Sequence, residues 1–105
     1  MEILNQSNWE EFLSSPVSLL ILSKTDCQLC DKWFSELESY ELPDSIRLGK
    51  MLLDSPGLGR FKMENNWVAN IDILPFNAIF VEGKVKIQWA GGGMDSLQTR
   101  LNRVI

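Results

Sequence analysis

Two cysteines separated by two residues, Cys27 and Cys30, stand between a strand-like and a helix-like part of the chain. The preceding residues, 17–22, form a short and uniformly apolar run, which is typical of a strand buried on both faces. The following positions 30, 33, 34 and 37 are apolar at the spacing of one helix face. The sequence therefore predicts a buried strand that leads into a helix whose first turn carries both thiols.

This placement of a C-x-x-C pair indicates thiol–disulfide exchange. The attacking species in that reaction is a thiolate, and the unpaired amides and positive dipole end of a helix N-terminus stabilise it. Cys27 is the predicted attacking thiol. Cys30 lies three residues later, within bonding reach, and is predicted to resolve the mixed disulfide that forms on Cys27.

Length and charge exclude several other classes of function. A chain of 105 residues has room for one domain, which we expect to span residues 1–105. Its net charge of −4, without a cluster of basic residues, argues against a nucleic-acid partner. The N-terminus does not resemble a signal peptide, and no apolar run approaches the roughly 20 residues that span a bilayer. We therefore expect a cytoplasmic protein without a membrane partner.

Two other interpretations of the cysteine pair stay open, namely incidental thiols and half of a zinc site. In a reducing compartment, two closely spaced cysteines favour catalysis or metal binding over a structural disulfide. A closed zinc site takes four ligands, and the chain has no histidine and no further cysteine. Zinc would therefore require a second subunit, and we expect no metal.

The remaining pattern predicts further helices and strands around this motif. Ser7 and Glu10 have the spacing of a capping box before a first helix. A strand is predicted at residues 46–53, and a helix after the turn at 54–56. Alternating polar and apolar residues predict an antiparallel hairpin over residues 77–90. After three glycines at 91–93, Asp95 or Ser96 is predicted to cap the last helix.

The predicted order β-α-β-α-β-α-β-β-α, with C-x-x-C opening the second helix, resembles that of the thioredoxin family over essentially the whole chain. The resemblance implies an α/β fold, in which helices flank both faces of a central mixed β-sheet. It implies that Cys27 and Cys30 are the nucleophilic and resolving cysteines. It also implies a cis Leu74–Pro75 bond opposite Cys27, with the backbone of Leu74 pairing with an extended substrate segment and Gly91 beside the groove.

Further residues are predicted to belong to the site around Cys27, Cys30 and Pro75. Trp67 lies in a polar segment near the implied groove, where it either packs under a loop or contacts substrate. Lys50 matches a lysine that precedes the turn after the middle strand in the family. The sequence departs from the family's W-C-G-P-C motif and has Ile21 where a buried acid is expected. The residues expected to tune the site are Asp26, Gln28, Leu29 and Lys50.

The predicted function is that of a thiol–disulfide oxidoreductase. The Cys27–Cys30 dithiol is predicted to reduce protein disulfides by thiol–disulfide exchange, which is a form of electron transport. No cofactor is needed beyond the cysteines. The expected partners are disulfide-containing proteins and a regenerating reductase or low-molecular-weight thiol, and we expect a monomer. The alternative is a non-enzymatic thioredoxin-like module that binds a partner in the same groove, with vestigial or regulatory cysteines. Ile21 and the unusual Gln28-Leu29 pair favour the alternative, whereas retention of both cysteines and Pro75 favours the enzyme.

Overall fold

The strand before the cysteines lies at the centre of a five-stranded mixed sheet in the computed structural model, which describes residues 1–105. The strands are β1 (Glu2–Ile3), β2 (Val17–Ser23), β3 (Ile46–Leu52), β4 (Phe76–Val81) and β5 (Lys84–Ala90). The helices are α1 (Trp9–Leu13), α2 (Gln28–Glu38), α3 (Gly59–Glu64) and α4 (Met94–Leu101), with a 3₁₀ helix at Asn66–Asn70. None of these helices is long and apolar enough to cross a lipid bilayer.

The strand order is β1-β3-β2-β4-β5. Strand β3 runs parallel to both β1 and β2, whereas β4 runs antiparallel to β2 and to β5. The predicted hairpin is confirmed, because β4 and β5 pair around a turn at Glu82 and Gly83. Six of the seven residues of β2 are buried, which confirms a strand covered on both faces.

Two apolar layers cover the two faces of this sheet, which confirms the predicted architecture. Alternation along β2 places Leu20 and Leu22 in one layer, with α1, α3 and the 3₁₀ helix. The same alternation places Leu19 and Ile21 in the other layer, with α2 and α4. Cys30 belongs to this second layer, so the second cysteine of the C-x-x-C pair lies in the core between α2 and the sheet.

The predicted capping box at α1 is wrong. Asn8 occupies the N-cap position and makes no side-chain bond to the helix. Its side chain instead accepts the N–H of Asn5 at 2.7 Å and donates to the carbonyl of Ile3 at 3.0 Å. The turn between β1 and α1 therefore uses the polar side chain that a helix cap would need.

Two other helix starts differ from their predicted positions. Helix α3 begins at Gly59 because Gly57, with φ +82°, has a left-handed conformation that a right-handed helix excludes. Helix α4 begins at Met94, after Gly93 at the N-cap position, so Asp95 and Ser96 lie within its first turn. The Asp95 carboxylate there still favours the helix, because the dipole is positive at that end.

Gly49 on β3 gives a test of how tightly the first layer is packed. A Cβ atom at this position would lie 2.8 Å from Cζ of the buried Phe12. We expect Gly49→Ala to lower the free energy of unfolding by roughly 1–3 kcal/mol, the usual penalty of overpacking. Gly59→Ala is the control, because a Cβ there meets nothing within 4 Å. Urea denaturation that found equal stabilities for the two variants would contradict this packing.

Candidate active site

Cys27 occupies the N-cap position of α2, and Cys30 lies within the first turn. Cys27 has extended backbone angles, and its Sγ accepts the N–H of Cys30 at 3.3 Å. Its carbonyl oxygen accepts the N–H of Asp31 at 3.0 Å. The two sulfurs form a disulfide, with Cα atoms 5.2 Å apart. The sulfur of Cys27 thus lies at the end of the helix where backbone amides have no partner within the helix.

The two cysteines differ in exposure. Cys27 is partly exposed and lines a surface groove, whereas Cys30 is fully buried. Trp33, one turn after Cys30, is also buried and packs in the same apolar layer. An external sulfur can therefore reach Cys27 from solvent and cannot reach Cys30.

The turn that leads into Cys27 is held by a carboxylate from a neighbouring loop. The backbone N–H of Thr25 donates to both carboxylate oxygens of Asp54, at 3.2 and 3.1 Å. The side chain of Thr25 and, after it, this backbone N–H act as hydrogen-bond donors that hold the pKa of Asp54 below its usual value. Asp26, the next residue in the turn, has φ +60°, a left-handed conformation that aspartate tolerates better than most residues.

A second wall of the site comes from the segment before β4. The Leu74–Pro75 peptide bond is cis, and the carbonyl oxygen of Pro75 accepts the N–H of Gly91 at 2.8 Å. Leu74 is partly buried and makes no backbone hydrogen bond to another part of the chain. Its N–H and carbonyl group therefore have no hydrogen-bond partner within the chain.

Two grooves meet along this wall. Leu29 and Leu74 contribute to both of them. Ile73 is 57% exposed and Leu29 is 69% exposed, so apolar side chains rim the disulfide. The first groove is also lined by Lys24, Asp26, Cys27, Gln28, Leu53, Ile71 and Asp72. The second is also lined by Lys32, Trp33, Glu36, Ile73, Pro75, Gly91, Gly92 and Gly93.

Most of the residues predicted for the site lie together around these grooves, and two do not. Trp67 packs over the opposite face of the sheet, with its ring centroid 6.0 Å from that of Phe76, and lines neither groove. Lys50 lies behind the start of α2, with Nζ 4.5 Å from the ring centroid of Phe34.

Two features of the site went unrecognised in the sequence. The sequence places Asp54 only in a turn. Strands β2 and β3 are parallel, so their carboxyl ends lie at the same edge of the sheet. The residues that follow them, Thr25 and Asp54, are therefore close together, and this pairing is the signal that identifies Asp54. Ile73, next to Leu74, is an exposed apolar residue on the groove rim. No group of three or more histidine, cysteine, aspartate or glutamate side chains is arranged to hold a metal ion.

The Asp54–Thr25 contact predicts a pH-dependent change in the turn before Cys27. A carboxyl whose pKa is lowered on folding stabilises the fold above its unfolded pKa, and this contribution is lost as pH falls through the folded value. We expect the amide shift of Thr25 in NMR spectra to titrate with a midpoint below 3.8, the ordinary pKa of the aspartyl group. The Asp54→Ala variant should lack this transition. A midpoint at or above 3.8 in the unsubstituted protein would contradict the assignment.

Comparison with known proteins finds similarity in structure but no match in sequence. No protein-family profile matches the sequence. No curated protein matches it either. Among solved structures, thioredoxin f2 from Chlamydomonas reinhardtii is similar with a TM-score of 0.78 and 15% identity, over 98% of this chain and 94% of that one.

Two further thioredoxins are similar over almost their full length. The protein from Fasciola hepatica has a TM-score of 0.74 and 13% identity, with both chains covered completely. The protein from Plasmodium falciparum has a TM-score of 0.73 and 13% identity, over 98% of each chain. At such low identity the similarity concerns the arrangement of helices and strands, and it shows that this chain has the thioredoxin fold.

Proposed function

We propose that this protein is a thiol–disulfide oxidoreductase that reduces protein disulfides through Cys27 and Cys30. The observation that carries the proposal is the disulfide at the start of α2, between a partly exposed and a fully buried sulfur. This asymmetry suits a reaction in which one thiol meets the substrate and the other stays protected until it resolves the intermediate.

The proposed cycle starts from the dithiol form. The Cys27 thiolate attacks a substrate disulfide, so that the substrate S–S bond breaks, a mixed disulfide forms, and one substrate thiolate leaves. Cys30 then attacks the sulfur of Cys27, which releases the second substrate thiolate and closes the Cys27–Cys30 disulfide. Two electrons pass from the protein to the substrate, and both substrate thiolates take up protons. A separate reductase or a low-molecular-weight thiol restores the dithiol.

The start of α2 supports the first step. In the disulfide form the N–H of Cys30 already points at Sγ of Cys27, and the same donor is placed to stabilise a thiolate there. Asp26 acts in the opposite direction, because a carboxylate next to the thiolate disfavours the anion. Ile21 is fully buried in the layer that contains Cys30 and offers no ionisable group. The residue at position 21 therefore cannot take up the proton of Cys30.

Substrate recognition in this proposal is mainly through the main chain. The unpaired N–H and carbonyl of Leu74 are available to an extended segment on either side of the substrate cysteine. The exposed side chains of Leu29 and Ile73 contact the flanking residues of that segment. Because backbone groups are common to all peptides, the sequence demand is low. A reducing compartment such as the cytoplasm is where the dithiol form would persist.

Replacement of Cys30 by serine tests the mechanism and the competing binding-module function together. We expect Cys30→Ser to form a stable mixed disulfide through Cys27 with a disulfide-linked peptide, because the resolving sulfur is gone. The adduct should appear in intact mass spectra and disappear with dithiothreitol. Cys27→Ser is the control and should trap nothing, because the remaining thiol is buried. Equal noncovalent retention of the peptide by both variants, without an adduct, would instead indicate a binding module.

A further inference from the structure

Asn77 is a fully buried amide side chain that the proposed chemistry does not use. It is the second residue of β4, two residues after Pro75. In the sheet it lies directly opposite Ile21 on one side and Trp89 on the other. Directly opposed residues share a sheet face, so Asn77 faces the layer that contains α2 and Cys30.

Both polar atoms of the Asn77 side chain are hydrogen-bonded. Its Oδ1 accepts the indole Nε1–H of Trp33 at 2.8 Å. Its Nδ2 donates to the carbonyl oxygens of Gly91 at 2.7 Å and of Trp89 at 3.2 Å. Only this orientation of the amide satisfies the contacts, because an indole N–H donates and carbonyls accept. Asn77 thereby joins helix α2 to the end of β5 and the glycine segment 91–93.

Backbone contacts of Gly91 and Gly92 also connect the glycine segment to Pro75 and to Trp33 of helix α2. The N–H of Gly91 donates to the carbonyl of Pro75 at 2.8 Å, so both polar groups of Gly91 are held. A Cβ atom on Gly92 would lie 3.1 Å from the indole ring of Trp33, so the backbone of Gly92 packs closely against that ring. Trp33, Pro75 and the three glycines all line the second groove. The side chain of Asn77, through its hydrogen bonds to Trp33 and Gly91, therefore connects the two walls of this groove.

We propose that Asn77 is a positioning residue of the redox site, which holds the cysteine helix and the glycine segment at the separation that accepts a substrate strand. The inference rests on the proposed function and deepens it. A groove whose walls are already fixed loses less conformational freedom when a peptide binds. A polar residue is needed here because apolar side chains at this position cannot hold the carbonyl of Gly91 or the indole of Trp33 by hydrogen bonds.

Asn77→Ala tests this role, with Asn65→Ala as the matched control. Asn65 is also a buried asparagine, and its Nδ2 donates to the carbonyl of Phe61 at 3.0 Å, far from the grooves. We expect hydrogen exchange at the Gly91 amide to become about tenfold faster in Asn77→Ala than in Asn65→Ala, the scale of one lost buried hydrogen bond. Equal exchange in the two variants would overturn the proposal.

Kinetics give a second readout that a general loss of stability does not move. In the reduction of a disulfide-linked peptide, with dithiothreitol as the electron donor, we expect KM of Asn77→Ala to rise about tenfold. The value of kcat should change much less, because the cysteines themselves are untouched. A fall in kcat with unchanged KM would overturn the positioning role.

Trp33→Phe keeps the test decisive if Asn77→Ala fails to fold. This variant keeps an aromatic ring near Gly92 and removes the donor to Asn77 Oδ1 together with part of the buried indole. It should accelerate exchange at Gly91 relative to Asn65→Ala, and no acceleration would overturn the proposal. Absence of peptide reduction by the unsubstituted protein would contradict the proposed function alone, since the exchange comparison requires no activity.

Discussion

Strand β2 is paired on both sides, and its register relative to β3 and β4 is the constraint on which the site depends. At its carboxyl end, Ser23 lies opposite Leu52 of β3, and Leu22 lies opposite Phe76 of β4. The chain leaving β2 therefore runs between the loop after β3, which supplies Asp54, and the segment before β4, which supplies Pro75. A shift of one residue in this register would exchange the two faces of the strand and move Cys30 away from its apolar layer.

Local patterns were sufficient to predict the elements that carry this arrangement. Strand β2 is uniformly apolar because both of its faces are covered, and β5 alternates because one of its faces is wet. Contacts between distant segments could not be predicted in this way. Trp67 follows a polar segment in sequence, yet it packs with Phe76 and Phe80. The partners of Asn77 depend on helix placement and sheet register, so its role became visible only in three dimensions.

The chemistry of the site follows from a balance of opposing local effects. The exposed start of α2 favours a thiolate on Cys27, whereas the adjacent Asp26 carboxylate disfavours it. Ile21 provides no carboxyl group in the layer beneath, and Asn77 fills part of that region with an amide that stays neutral at every accessible pH. In the proposed cycle, Cys30 is therefore the one group of this buried layer whose protonation changes. The stability of the disulfide relative to the dithiol then decides the direction of electron flow.

A redox titration of the Cys27–Cys30 pair in thiol and disulfide buffers, read by alkylation and intact mass, tests the central claim most directly. Our account predicts a reversible two-electron transition with a midpoint near about −270 mV, the range in which a dithiol reduces protein disulfides. A midpoint between about −180 and −120 mV would contradict the reducing direction, because pairs in that range act as isomerases or oxidants. Failure of the two cysteines to interconvert reversibly at any poise would contradict the dithiol mechanism itself.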